Sequence, residues 1–229
     1  MPEPAFQDRL NRVREAIEAA RSTGGWSHPV RIVAVTKTHG AEAVRMAALA
    51  GLDAVGENRV QEALAKQEVT AGVAIEWHLI GSLQRNKARH AAGRFELIHS
   101  VDRFDLATEL DRRMPAGSVQ RVLVQVNCSA EPQKGGVEPG ELPALLDQLR
   151  PLERIRAEGL MTMAALDATE SEARRSFAQL RKLAEAGRRA GHQLGELSMG
   201  MSGDFEWAVA EGSTMVRLGT ILFGARPIQ

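Results

Sequence analysis

Apolar positions along this chain follow two periods in alternation. Short runs rich in Val, Ile and Leu give way to longer segments whose apolar residues recur every three or four positions. The first pattern marks β-strands and the second marks amphipathic helices. The opening segment, residues 6–20, sets Leu10, Val13, Ile17 and Ala20 at helical spacing, and Gly24-Gly25 ends it. Strands are predicted over 30–36, 54–55, 74–80, 96–99, 121–126, 155–160, 194–197 and 214–216. Helices are predicted over 41–50, 60–66, from Gln84 onward, and over 104–112, 141–149, 170–190 and 204–210.

Eight strands alternating with helices predict a closed (β/α)8 barrel of the TIM type. An open doubly wound sheet is the structural alternative, because periodicity alone does not establish closure. The eighth helix is nearly missing after Val216, and the opening helix is expected to fill its slot. With no repeat, low-complexity stretch or long linker, residues 1–229 read as one domain. The Pro- and Gly-rich stretch 132–140 reads as a loop within it.

Composition narrows the function. Twenty-nine Lys and Arg balance 29 Asp and Glu for a net charge of zero. That balance argues against an extended basic surface for nucleic acid, yet it leaves room for a pocket sized for one small anion. Hydrophobic residues make up 44%, and a chain of this length buries roughly 70–75% of its unfolded surface, ample for a core. The single cysteine, Cys128, forms no intramolecular disulfide. Residues 1–21 lack the apolar block of a signal peptide, and the longest apolar stretches fall far short of the ~18 residues of a membrane span. A cytoplasmic location is expected. The chain has no tyrosine.

Functional groups of such a barrel gather where strands end. Lys37 follows a strand whose alternation sets Val33, Val35 and Lys37 on one face. A lysine continuing a buried face tends to lose its proton and become a nucleophilic amine, as a Schiff base with an aldehyde requires. The plainer alternative ends the strand one residue earlier and leaves Lys37 in solvent. The small residues from Ser198 to Gly203 free backbone N–H groups for an anion, unless Ser202 merely caps the following helix; Asp204 and Glu206 would repel a phosphate they faced. Arg217, Gly219 and Thr220 follow the last strand and complete such an anion site, although a lone arginine more often serves as a rim ion pair.

Longer blocks carry a resemblance. These are Ala34-Val35-Thr36-Lys37, Gly56-Glu57-Asn58-Arg59-Val60-Gln61-Glu62, Trp77-His78-Leu79-Ile80-Gly81-Ser82-Leu83-Gln84-Arg85-Asn86-Lys87, Ser100-Val101-Asp102, Val126-Asn127, Gly159-Leu160-Met161, Leu197 through Asp204, and Val216 through Arg226. In this order, over nearly the whole chain, they resemble the pyridoxal phosphate homeostasis proteins, whose fold is like the N-terminal barrel of alanine racemase. The resemblance implies that Lys37 forms an internal aldimine with pyridoxal 5′-phosphate. It further implies that Ser202 with the Gly219-Thr220 backbone holds the phosphate and that Arg217 faces the pyridine ring, weakening the cofactor as an electron sink. Asn58 is expected to make a polar contact near the pocket. His78 is expected to be a hydrogen-bonded group inside the barrel and Asn86 a helix-start residue, neither with a catalytic role. Cys128 is expected to pack as a reduced thiol.

Three functions compete. The resemblance implies a regulatory protein that sequesters or delivers pyridoxal 5′-phosphate, with pyridoxal phosphate-dependent apoenzymes as partners and amino- and keto-acid pools kept in balance. The alternatives are an amino-acid racemase and a Schiff-base aldolase that uses Lys37 without a cofactor. A racemase of the alanine type needs a second base, a tyrosine from another domain of a partner subunit. The absence of tyrosine and an end at Gln229 lead to the expectation of a non-enzymatic binder with no second domain; a monomer is expected. An aldolase accounts for Lys37 and an anion site but not for the full set of blocks.

Overall fold

In a parallel barrel each strand is covered on both faces, so its sequence is apolar nearly throughout. The computed structural model, which describes residues 3–129, 131 and 135–224, has this form. The strands are β1 (Arg31–Val35), β2 (Ala54–Glu57), β3 (Glu76–Leu79), β4 (Leu97–Val101), β5 (Gln120–Gln125), β6 (Ile155–Met161), β7 (Glu196–Ser198) and β8 (Met215–Leu218). They pair in parallel in chain order and close on themselves. Closure is made by β8 against β1, with Val33 opposite Arg217 and Ala34 opposite Leu218. That pairing excludes the open sheet.

The helices are α1 (Pro4–Thr23), α2 (Ala41–Leu49), α3 (Val60–Val69), α4 (Ala88–Ala91), α5 (Phe104–Arg113), α6 (Leu142–Leu149), α7 (Glu170–Arg189), α8 (Phe205–Ala210) and α9 (Thr220–Phe223). The α1 stripe of Phe6, Leu10, Val13, Ile17 and Ala20 is buried as its spacing predicts. It packs with Ile32 and Ala34 of β1, Val216 and Leu218 of β8, and Phe205 and Val209 of α8. Because α9 is a single turn, the opening helix covers the seam that an eighth helix would cover. The rings of Phe6 and Phe223 lie 5.2 Å apart where the two helices meet.

Inside, the barrel is layered. Its floor is a ring of ion pairs, Arg31 with Asp53 and Glu76, and Arg121 with Glu96 and Glu158. An apolar layer of Val33, Ala54, Leu97, Leu123, Met161 and Met215 fills the middle. Above it the inward positions turn polar, with His78, His99, Ser198 and Arg217 all buried. Boundaries differ from the sequence expectation where pairing decides them. β2 runs on to Glu57 and β8 to Leu218, whereas β3 and β7 begin only at Glu76 and Glu196. The helix expected from Gln84 is one 3-10 turn, Arg85–Lys87, followed by the short α4. Within the expected loop 132–140, residues 132–134 lie outside the described residues, as do Ala225 and Arg226 of the last sequence block.

Candidate functional site

Strand β1 ends at Val35, and the chain turns at once. The Thr36 N–H donates to the Gly56 carbonyl across to β2 at 3.1 Å, and the His39 N–H donates back to the Thr36 carbonyl at 3.1 Å. Lys37 and Thr38 are the central residues of this tight turn, and Thr38 takes a positive φ of 67°. Lys37 is half-buried and makes no hydrogen bond or ion pair among the described residues. The strand does end before Lys37, but the lysine stands at the barrel rim two residues beyond Val35 rather than free in solvent.

Directly across the β1–β8 seam, Arg217 extends into the barrel with 4% of its surface exposed. Its guanidinium donates to the Ser198 hydroxyl at 2.6 Å and to the Thr162 carbonyl at 2.9 Å. Both acceptors are neutral. Burial lowers the guanidinium to about 10, with Asp204 the opposing influence. At neutral pH it therefore remains a buried cation. The rim ion pair considered for Arg217 is not what forms.

A line of hydrogen bonds continues down from Ser198. Its hydroxyl lies 2.9 Å from His99 Nδ1, His99 Nε2 lies 3.0 Å from His78 Nδ1, and His78 Nε2 lies 3.4 Å from a Glu76 oxygen. Glu76 accepts from Arg31 at 2.7 Å. The end groups dictate the protons. The Glu76 carboxylate only accepts, so a neutral His78 donates from Nε2 and accepts at Nδ1. His99 then donates from Nε2 and accepts the Ser198 proton at Nδ1. Burial keeps both imidazoles neutral: His78 is lowered to about 3, with Arg31 and Arg121 adding to the effect, and His99 is lowered by burial and by His78 and Arg217. His78 is thus the hydrogen-bonded interior group that the sequence leads one to expect.

The loop from Ser198 to Gly203 closes the other side of the mouth. Gly200 takes φ +96°, and a Cβ there would stand 2.7 Å from the Ala208 side chain and 2.9 Å from the Phe205 backbone, so only glycine lets the loop lie against α8. Its carbonyl accepts the Arg217 N–H at 3.0 Å. Ser202 does not cap α8. Its hydroxyl instead accepts long hydrogen bonds from the Gly219 and Ile221 N–H groups, at 3.3 and 3.4 Å. Asp204 bonds the Met201 N–H of its own loop at 2.5 Å, which binds its carboxylate to that loop.

Of the expected residues, the structure thus joins Ser202 to Gly219 by a direct bond and seats Arg217 beneath Gly200. Gly219 also touches β1, since a Cβ there would lie 3.4 Å from the Val35 carbonyl. Thr220 opens α9 and is exposed, and Asn58 follows β2 half-buried. Asn86 lies exposed in the 3-10 turn, and Cys128 is buried with its thiol pushed up to about 11 by burial. Sequence reasoning missed Thr162, the Ser198–His99 link and Lys66. Lys66 reaches in from α3 to the Thr36 carbonyl and to Glu57. Its signal was indirect: Thr36 and Glu57 alternate onto the helix-facing side of the wall, where a polar group requires a partner.

Residues 9–227 match the family model described as alanine racemase, N-terminal domain. A pyridoxal phosphate homeostasis protein of Pseudomonas aeruginosa is 45% identical over 216 residues, covering 94% of this chain and 91% of that one. The solved structure of PipY from Synechococcus elongatus with PLP bound is 43% identical with a TM-score of 0.83, covering 96% of this chain and all of that one. Alanine racemase of Corynebacterium glutamicum, at 19% identity and a TM-score of 0.70 over 62% of its chain, shares the fold alone. A barrel closed in this order, at this level of identity over nearly its whole length, belongs to the pyridoxal phosphate homeostasis proteins of the alanine racemase N-terminal-domain family.

Proposed function

We propose that this protein binds pyridoxal 5′-phosphate at the barrel mouth and buffers or delivers it, keeping amino- and keto-acid metabolism in balance. The observation that carries the reading is Arg217. A buried cation whose hydrogen bonds go only to neutral oxygens is costly unless an anionic or electron-rich ligand shares its site. The neighbouring groups suit this cofactor chemically. Lys37 offers an amine for its aldehyde, and Ser202, Thr220 and the Gly219 N–H offer donors for its phosphate. Asn58 adds a polar group at the end of β2. When bound, the cofactor would supply an aldehyde, which the Lys37 amine is placed to hold, and a ring that can draw electrons.

The protein's own groups favour holding over turnover. No tyrosine is present to act as a second base. His78 and His99 are committed to a line that starts beneath Arg217 and leads away from the mouth. Arg217, a permanent donor with no acceptor atom, would favour the unprotonated form of a ring nitrogen placed against it and so would weaken the ring as an electron sink. A monomeric, cytoplasmic protein that passes the cofactor to apoenzymes completes the reading. Among the described residues no helix is long and apolar enough to cross a membrane.

The test is spectroscopic. Purified protein given pyridoxal 5′-phosphate is expected to develop the visible band of a protein Schiff base, and Lys37→Ala is expected to abolish it. Ser202→Ala and Arg217→Met are expected to retain the band but to release cofactor faster on dialysis. A wild-type protein that takes up none sinks the proposal, and two variants that retain it like wild type displace the pocket from this mouth.

A further inference from the structure

Thr36 and Glu57 sit on the outward side of the barrel wall, on the same face as Ala34 and Val55, which pack beneath the helices. Apolar side chains would be expected at both. Instead both are fully buried polar groups, and α3 sends Lys66 in to meet them with 12% of its side chain exposed. The Lys66 ammonium donates to Glu57 Oε1 at 2.6 Å and to the Thr36 carbonyl at 2.8 Å. The Thr36 hydroxyl donates to the same carboxylate oxygen at 2.5 Å. Glu57 Oε2 has no hydrogen-bond partner.

For stability alone this is a poor arrangement. A buried ion pair seldom outperforms well-packed apolar residues, and an unpartnered carboxylate oxygen makes it worse. What the ammonium does that an apolar group cannot is grip a main-chain carbonyl. The carbonyl gripped is Thr36, the one that also accepts the His39 N–H and so closes the turn around Lys37 and Thr38. That turn is strained, because Thr38 is β-branched and sits at φ 67°. Such a conformation persists only when its surroundings over-determine it.

We propose that Lys66 and Glu57 are positioning residues that clamp the Thr36 carbonyl and hold the strained turn presenting the Lys37 amine at the barrel mouth. The clamp's role in cofactor binding rests on the reading that Lys37 takes up pyridoxal 5′-phosphate. Its action on the turn does not. Lys66 and Glu57 meet on the helix-facing side of the wall, away from the barrel mouth, and each acts through Lys37.

The test is a cycle between the clamp and Thr38. Glu57→Gln with Lys66→Met removes both charges together, so no lone ion is left buried. Thr38→Gly removes the cost of positive φ. In the otherwise unchanged, cofactor-free protein, Thr38→Gly is expected to raise the melting temperature by a few degrees, since the clamp enforces a shape that glycine adopts freely. Without the clamp Thr38 relaxes, and the same substitution is expected to give no gain. Equal shifts in both backgrounds, or no shift in the unchanged chain, overturn the clamp. The second reading is pyridoxal 5′-phosphate titration followed by the Schiff-base band. Glu57→Gln with Lys66→Met is expected to bind about tenfold more weakly, and adding Thr38→Gly to restore affinity to within threefold. A clamp variant that binds as wild type, or that glycine does not rescue, also overturns it. A wild-type chain that takes up no cofactor refutes the functional reading instead, and the melting cycle still decides the clamp. Should the double variant not fold, Thr38→Gly alone still reports whether the strain exists.

Discussion

Lowering the pH from 7 to 5 is expected to destabilise this protein through two imidazoles in its barrel. The bonds fix the reason: His78 donates to Glu76 and accepts from His99, and His99 accepts from Ser198, which accepts from Arg217. A proton added to either ring nitrogen that now accepts would meet another donor. Burial and the cations Arg31, Arg121 and Arg217 oppose that proton, while Asp53 and Glu96 favour it at His78 without prevailing. Both rings thus stay neutral when folded but titrate near 6.5 in the unfolded chain. The folded value lies below the unfolded one, so the unfolded state gains protons first and stability falls as pH drops below about 6.5. Protonating one such imidazole in the unfolded chain alone costs about 2 kcal/mol between pH 7 and pH 5, and the pair about 4 kcal/mol. Urea unfolding followed by tryptophan fluorescence at the two pH values measures the loss. His78→Gln with His99→Gln removes both titrating groups while other residues titrate as before. The variant's loss is expected to be smaller than that of wild type by about 4 kcal/mol. Equal losses in the two proteins would refute the neutral pair and the proton order of the line.

Two further substitutions or reagents probe the packing. At Gly159, paired with Glu196 of β7, an added Cβ would stand 2.0 Å from the Glu196 carbonyl oxygen, and neither backbone can move without opening the barrel. Gly159→Ala is expected to cost about 3 kcal/mol, a fall of roughly 10 °C in melting temperature; a fall of under 2 °C would mean that the wall is slack there. Cys128 is buried with its thiol pushed up to about 11. Its alkylation by iodoacetamide at pH 8 is expected to be at least about a hundredfold slower than that of a free thiol, because the thiolate is the reactive form; a comparable rate would place the thiol in solvent.

The architecture was legible because it follows from local pattern. Leu10, Val13, Ile17 and Ala20 recur at helical spacing, and the same residues are buried against β1 and β8. Strand ends shifted by a residue or two, since a strand stops where its neighbour stops offering partners, and the neighbour lies seventeen or more positions away. Val33 and Arg217 are 184 positions apart in the chain and adjacent in the barrel. At the mouth, alternation and loop chemistry pointed to Lys37, Ser202, Arg217 and Gly219. They did not show that the Ser202 hydroxyl turns away from α8 to the Gly219 N–H, because a capping serine and an anion-site serine read alike in a sequence.

The amino-acid order by itself determined the number and order of the strands, the longer helices between them, the buried face of α1, and the residue types gathered at the strand ends. Closure, the Arg217–Ser198–His99–His78–Glu76 line, and the Lys66–Glu57 grip on Thr36 were decided only by the tertiary structure. Alternation tells which side of a strand a residue occupies, not which residue meets it there. Those partners come from different strands and helices, and the proton carried by each ring nitrogen is set by the partner at the far end of the line.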